Sequence, residues 1–137
     1  ISGETTAGGR SRLNPALRQH KPVIVIVALG ANDGLRGLPL AQMRDNLNAM
    51  IDAAQAAGAR VMLAGIRLPP NYGPYALEFH QSFGEISRQQ KVGLLAFLLE
   101  PIAAQQVYFQ ADNLHPTAEA QPLILDHIWP TLAPLLK

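Results

Sequence analysis

The run Val23–Leu29 constrains the fold most, because it is seven apolar residues long and mostly β-branched. A continuous apolar run, rather than an alternating one, is typical of a parallel strand covered on both faces. Glycine, Asn and Asp residues follow at 30–34 and indicate a loop. The run therefore predicts a buried parallel strand with a loop at its carboxyl end.

Alternating apolar runs and helical patterns continue along the chain. Apolar side chains at helical spacing follow Pro39, and Gly58 is placed to end that helix. The alternation is typical of an α/β doubly wound fold with a parallel sheet. The later predicted elements are a strand at 61–66, a helix at 75–90, a strand at 92–97 and a closing helix from about Thr117.

Three parallel strands would make an unusually thin sheet, since parallel sheets generally have more strands. We therefore expect one or two further strands before Ile1. The chain has 137 residues, which suits one domain, so residues 1–137 are interpreted as a single, N-terminally incomplete domain. Neither an initiator Met nor a signal-peptide pattern precedes Ile1, which favours a fragment or a processed product.

Composition argues against several classes of function. The net charge of +1 gives no electrostatic basis for binding nucleic acid. No apolar run reaches the roughly 18–20 residues of a membrane span. The absence of cysteine excludes disulfides, thiolate metal sites and a cysteine nucleophile. The four histidines are scattered without metal-ligand spacing, so no metal site is expected.

A polar loop after the last predicted strand carries Asp112 and His115, three residues apart. Such a loop can place the Asp112 carboxylate against one ring nitrogen of His115, which fixes the tautomer and supports an imidazolium. The same pair could instead satisfy backbone groups at the start of the following helix. The pattern is short, and by itself it leaves both interpretations open.

Two further clusters could supply hydrogen bonds to a developing oxyanion. Asn32 lies in the segment Gly30–Gly34 after the buried strand, where its amide could donate such a bond. Gly3 could donate one from its backbone N–H. Each could equally belong to a turn that uses Asn, Asp and Gly for their backbone tolerance.

Taken in order, Ser2-Gly3, Gly30-x-Asn32-Asp33 and Asp112-x-x-His115-Pro116 resemble blocks II, III and V of the SGNH (GDSL) hydrolase family. The longer segments 29–37 and 66–73 resemble its bacterial thioesterase I, lysophospholipase and arylesterase branch. The resemblance covers nearly the whole chain. It implies a flavodoxin-like, doubly wound three-layer sandwich around a parallel sheet.

The resemblance also implies roles for individual residues. Gly3, through its backbone N–H, and Asn32, through its side-chain amide, would form the oxyanion hole. His115 would act as general base and then general acid, with Asp112 orienting it. No cofactor is implied.

Small-molecule substrates, either acyl esters or thioesters, are what the resemblance implies. It suggests that loops at the active edge of the sheet line an acyl-binding groove, although packing within the loops explains the same residues equally well. The residues concerned are Leu35, Leu68 and Tyr72. A periplasmic or secreted location is expected on the same ground.

The nucleophile of the family lies in a Gly-Asp-Ser segment, and this sequence contains none. We therefore expect the serine upstream of Ile1, and a separate N-terminal segment that associates with this chain could carry it. The alternative is a catalytically inactive fragment or binding module of the same fold. A dinucleotide-binding module is less consistent, because the segment 30–34 lacks the G-x-G-x-x-G spacing.

Overall fold

The computed structural model describes residues 4–95 and 117–136. Its helices are α1 (Thr6–His20), α2 (Ala31–Leu35), α3 (Leu40–Ala56), α4 (Pro74–Gln90) and α5 (Gln121–Leu132). Its strands are β1 (Ile24–Val27), β2 (Arg60–Ala64) and β3 (Gly93–Leu95). Short 3₁₀ turns cover Pro70–Tyr72, Ala118–Ala120 and Ala133–Leu136.

The described strands form a parallel sheet in the order β1-β2-β3. Val27 pairs with Leu63, and Leu63 pairs with Leu94. Helix α3 connects the first pair of strands and α4 connects the second, as parallel neighbours require. The predicted parallel α/β arrangement is therefore confirmed.

Helices cover both faces of this sheet. On one face, α1, α3 and α4 enclose the main core, in which Met43, Leu47, Phe79 and Phe83 are almost completely buried. On the other face lies α5: a Cβ added to Gly93 would lie 3.7 Å from Thr131 Cγ2. Helix, sheet and helix thus form the three layers that the sequence predicts.

Strand β1 is covered on one face only within the described residues. Val25 and Val27 face the main core, whereas Ile26 is 44% exposed and Val23, just before the strand, is 73% exposed. The prediction that both faces are buried is wrong for this part of the chain. The reason is position: β1 is the outermost described strand on its side, and α5 packs against β3 at the other side.

The sequence patterns predict which elements occur more accurately than they predict where those elements begin and end. The segment 30–34, predicted as a loop, contributes most of the short helix α2. Leu77 lies within the helix predicted at 75–90, and its apolar side chain is 60% exposed. Leu77 lies about 200° around the helix from Phe79, because successive residues are about 100° apart.

Hydrophobic periodicity does not predict α1. Gly8, Gly9 and Pro15 lower the helix propensity of this segment, and α1 buries few apolar side chains. The signals that mark it are at its ends. The Thr5 side chain accepts a hydrogen bond from Gly8 N at the N-terminus, and Arg18 lies in the last turn.

Gly58 ends α3 through a Schellman motif, as the sequence indicates. Its φ is +86°, Gly58 N donates to Gln55 O at 2.9 Å, and Ala59 N donates to Ala54 O at 3.0 Å. A Cβ at Gly58 would contact nothing within 4 Å, so only the left-handed backbone conformation opposes alanine there.

Two glycine-to-alanine replacements are expected to change stability in opposite directions. Gly58→Ala should lower the free energy of unfolding by about 1 kcal/mol, because L residues are strained at this φ. Gly84→Ala, inside α4 with only Arg88 Nη1 near at 3.8 Å, should raise it by about 0.5–1 kcal/mol through helix propensity. Urea titrations of both variants measure the two changes; shifts of the same sign would contradict this account.

Candidate active site

Asn32 is positioned by a sharp turn at the carboxyl end of β1. Gly30 has φ +122°, which L residues rarely adopt, and a Cβ there would lie 3.1 Å from Phe83 Cζ. Both the backbone conformation and the lack of space therefore favour glycine at this position. Gly34 N then donates to Gly30 O at 2.9 Å and closes the single turn of α2. The turn places Asn32 at the sheet edge where open α/β folds bind ligands.

The side-chain amide of Asn32 is half-buried and partly engaged. Its Nδ2 donates to the backbone carbonyl of Glu4 at 2.9 Å. An amide nitrogen carries two N–H groups, so one can fix the side chain while the other remains for a second acceptor. This arrangement can hold a hydrogen-bond donor in a fixed direction.

Asp33, the next residue, is 3% exposed and accepts two hydrogen bonds from Thr6. Thr6 N donates to Asp33 Oδ1 at 2.8 Å, and Thr6 Oγ1 donates to Asp33 Oδ2. Thr6 is the first residue of α1, so the carboxylate lies at a helix N-terminus, where negative charge is stabilised. Asn32 and Asp33 together join α2 to the segment that begins α1.

The hydrogen bonds of Thr6 continue into α3 and back to α1. Asn46 Nδ2 donates to Thr6 Oγ1 at 3.3 Å, and Arg10 Nη1 donates to Asn46 Oδ1 at 3.2 Å. The sequence patterns do not indicate a role for Asp33 or Thr6. Position next to Asn32 was the only available signal, since the partner of Asp33 is 27 residues away.

Tyr75 lies next to this turn, and the Asp33 carboxylate affects its pKa. Its hydroxyl donates to Leu38 O at 2.6 Å. Burial raises the pKa of Tyr75 above its ordinary value, and the nearby Asp33 carboxylate raises it further.

The three predicted groove residues lie close to α2, but in different environments. Tyr72 Oη donates to Leu35 O at 3.2 Å, and both side chains are half-buried against the core. Leu68 is only 8% exposed and belongs to the core cluster, and its Cδ2 would lie 2.8 Å from a Cβ on Gly34. Leu35 and Tyr72 therefore have surface to offer a ligand, whereas Leu68 mainly packs.

The other predicted site residues lie outside the described residues. These are the oxyanion donor Gly3 and the pair Asp112 and His115. The described chain resumes at Thr117, which stands at the N-cap position of the turn Ala118–Ala120 without making a side-chain capping bond.

The serines of the described chain are engaged elsewhere. Each hydroxyl donates to a backbone carbonyl: Ser11 to Ala7, Ser82 to Glu78 and Ser87 to Val92, at 3.1, 2.8 and 2.7 Å. A nucleophilic serine must instead give its proton to a general base. Over residues 4–95 and 117–136, no three His, Asp or Glu side chains are grouped so as to hold a metal ion.

Residues 1–122 match the GDSL-like lipase/acylhydrolase family. The chain belongs to this family. Esterase TesA of Pseudomonas aeruginosa is 49% identical over 137 residues, which are 99% of this chain and 68% of that protein. The Escherichia coli K12 protein named thioesterase 1/protease 1/lysophospholipase L1 is 39% identical and matches 100% of this chain and 66% of its own length.

Solved GDSL-family structures share the fold described above. The crystal structure of TesA superposes with a TM-score of 0.93 at 48% identity, covering 98% of this chain and 76% of that one. AlinE4, an SGNH-hydrolase family esterase, gives a TM-score of 0.78 at 34% identity over 100% of this chain and 74% of its own. The family and the fold predicted from sequence are thereby confirmed.

The family members are longer than the sequence in hand. The chain spans about two thirds of the length of the curated relatives it matches: 68% of the Pseudomonas aeruginosa esterase, 64% of the Vibrio mimicus arylesterase and 66% of the Escherichia coli protein. These relatives carry the names esterase, arylesterase, thioesterase and lysophospholipase.

Proposed function

We propose that this chain is the larger part of a serine hydrolase that cleaves acyl esters or thioesters. The observation that carries the proposal is the Asn32 amide at the carboxyl edge of β1, held by Glu4 O at 2.9 Å with a second N–H available. The family names of the relatives, arylesterase and thioesterase among them, support an acyl substrate.

In the proposed mechanism, a serine attacks the acyl carbonyl while His115 takes its proton and Asp112 orients the imidazole. The carbonyl oxygen becomes an oxyanion, which accepts hydrogen bonds from Gly3 N–H and Asn32 Nδ2. Collapse expels an alcohol or thiol that receives the proton from His115. Water then releases the acid from the acyl-enzyme by the same route.

The contact with Glu4 supports pairing Asn32 with Gly3. Glu4 follows Gly3 directly in the sequence, so the hydrogen bond ties Asn32 to the segment on which Gly3 lies. Two hydrogen-bond donors on separate segments can bind the same oxygen only if the segments keep a fixed position relative to each other. The bond from Asn32 to Glu4 supplies such a connection.

Leu35 and Tyr72 are our proposed contacts for the acyl chain. Both are half-buried beside α2, and the Tyr72 hydroxyl already donates to Leu35 O, which leaves the ring and the leucine side chain as apolar surface. Leu68 would support them from within the core, as its 8% exposure indicates.

The nucleophile, in this proposal, comes from an N-terminal segment outside residues 1–137. The three described serines give their hydroxyl hydrogens to carbonyls. Among the described residues, no strand pairs with the outer edge of β1, and such an edge is a usual docking site for a further strand. Ile26 is 44% exposed on the face of the sheet where α5 lies. We expect the residues that follow such a strand to cover this side chain.

An ester hydrolysis assay tests the proposal directly. We expect the 137-residue chain to leave a p-nitrophenyl acyl ester intact. Extended at its N-terminus by the residues of the Pseudomonas aeruginosa esterase that precede the matched region, it should turn the ester over. The matched control carries alanine in place of the serine of the Gly-Asp-Ser segment that the family resemblance leads us to expect in that extension.

Either of two results would count against this reading. Turnover by the 137-residue chain alone would place the nucleophile within it. A folded, extended chain without turnover would instead favour the alternative, a catalytically inactive module of the same fold.

The family resemblance also leads us to propose a periplasmic or secreted location for the enzyme. Among the described helices, none has the length and apolar character to cross a membrane. Fractionation of cells that express the intact protein would test the location.

A further inference from the structure

Asn32 and Asp33, neighbours in α2, form hydrogen bonds with the same segment, residues 4–6, which leads into α1. Asn32 Nδ2 binds Glu4 O, and the Asp33 carboxylate binds both the N–H and the hydroxyl of Thr6. Asp33 and Thr6 are 3% and 0% exposed, whereas Asn32 is half-buried. The buried pair is therefore shielded from water, and the half-buried amide beside it is open to a ligand.

The carbonyl that anchors Asn32 is in turn fixed by the Asp33 pair. Glu4 and Thr6 are separated by one residue, Thr5, whose side chain accepts a bond from Gly8 N. With Thr6 held at two atoms and Thr5 at one, few backbone rotations remain to the Glu4 carbonyl. The direction of that carbonyl decides which Asn32 N–H is engaged and where the other points.

A charge effect of Asp33 on the reaction would have the opposite sign. A carboxylate near a developing oxyanion repels it, so Asp33 cannot assist by its field. Its charge is instead met by the two Thr6 bonds and the N-terminus of α1. Geometry, not electrostatics, is what Asp33 can contribute to the oxyanion site.

We propose that Asp33 is a positioning residue: through Thr6 it fixes the Glu4 carbonyl and thereby aims the free N–H of Asn32. This inference rests on the proposed function, in which Asn32 donates to the oxyanion. Thr6 is the intermediary, and Asn46, which donates to Thr6 Oγ1 at 3.3 Å, steadies it from α3.

Three variants separate this role from simple stabilisation. Asp33→Asn removes the charge and replaces one acceptor oxygen by a donor. Thr6→Val keeps the backbone N–H but removes the hydroxyl, whereas Thr6→Ser retains both donors. Asp45→Asn, the same chemical change at an exposed position of α3, is the matched control.

The first measurement needs no turnover. In ¹H–¹⁵N spectra of the 137-residue chain, we expect Asp33→Asn and Thr6→Val to shift the Asn32 side-chain amide resonances, and Thr6→Ser and Asp45→Asn to leave them in place. Unmoved Asn32 resonances in folded Asp33→Asn and Thr6→Val would overturn the proposal. If Asp33→Asn does not fold, Thr6→Val decides.

The second measurement uses the catalytically complete, N-terminally extended chain. Asp33→Asn and Thr6→Val should lower kcat by about 10- to 100-fold, less than deletion of an oxyanion donor, with KM changed by less than about twofold. A role in stability alone would lower the melting temperature and leave kcat per folded molecule unchanged. A higher kcat in Asp33→Asn would mean that its charge, not its position, matters.

The two measurements distinguish failure of the proposed function from failure of the positioning role. If the extended wild-type chain has no turnover, the proposed function fails, and the amide spectra still decide whether Asp33 positions Asn32. If turnover is normal and the spectra do not respond, only the positioning role is lost.

Discussion

Replacing His115 by alanine in the catalytically complete, N-terminally extended chain is expected to lower kcat for ester hydrolysis by roughly 10⁵- to 10⁶-fold. Without the imidazole, no group in the proposed site removes the proton from the attacking serine or returns it to the leaving group. The oxyanion donors Gly3 and Asn32 would remain, so a residual rate above that of water is expected.

Initial rates with a p-nitrophenyl ester, measured at enzyme concentrations high enough to detect the residual turnover, give this ratio. His20→Ala is the matched control, because His20 is exposed in the last turn of α1, at the far end from Asn32. A decrease of less than tenfold in His115→Ala, with the fold intact, would remove His115 from the mechanism and with it the assignment of Asp112.

The parts of the fold that the sequence predicts are those encoded over short distances. The apolar run at Val23–Leu29 contains β1, and the helical spacing before Gly58 contains α3, because each pattern reflects one element packing on one core. The burial of β1 is different. It depends on which strands and helices lie beside it, and the exposed Ile26 reflects those neighbours rather than its own pattern.

The same distinction between short-range and long-range features applies to the candidate site. The position of Asn32 at the carboxyl end of β1 could be predicted, since a Gly-flanked Asn after a buried strand is a local feature, while its role stays a prediction from the family resemblance. The link between Asp33 and Thr6 could not, because it joins residues 27 positions apart through a helix that periodicity does not predict. The core position of Leu68 also depends on distant partners, and its place beside the groove with Leu35 stays a prediction.

Replacing Asn32 by alanine is expected to lower kcat by about 10²- to 10³-fold, equivalent to about 2.7–4 kcal/mol of transition-state stabilisation. The oxyanion forms only as the reaction proceeds, so the loss should appear in kcat, with KM nearly unchanged. Burst and steady-state kinetics of the catalytically complete chain measure both constants. Asn14→Ala, at an exposed position of α1, is the matched control.

The same replacement also removes the bond to Glu4 O, so its effect on folding must be separated from its effect on catalysis. Losing one partly buried hydrogen bond costs about 0.5–1.5 kcal/mol of stability, which leaves a normal domain folded. Asn32→Asp sharpens the comparison, because it keeps the size of the side chain but replaces both N–H groups by an acceptor that repels the oxyanion. Its kcat should fall below that of Asn32→Ala, and the reverse order would exclude a donor role for this side chain.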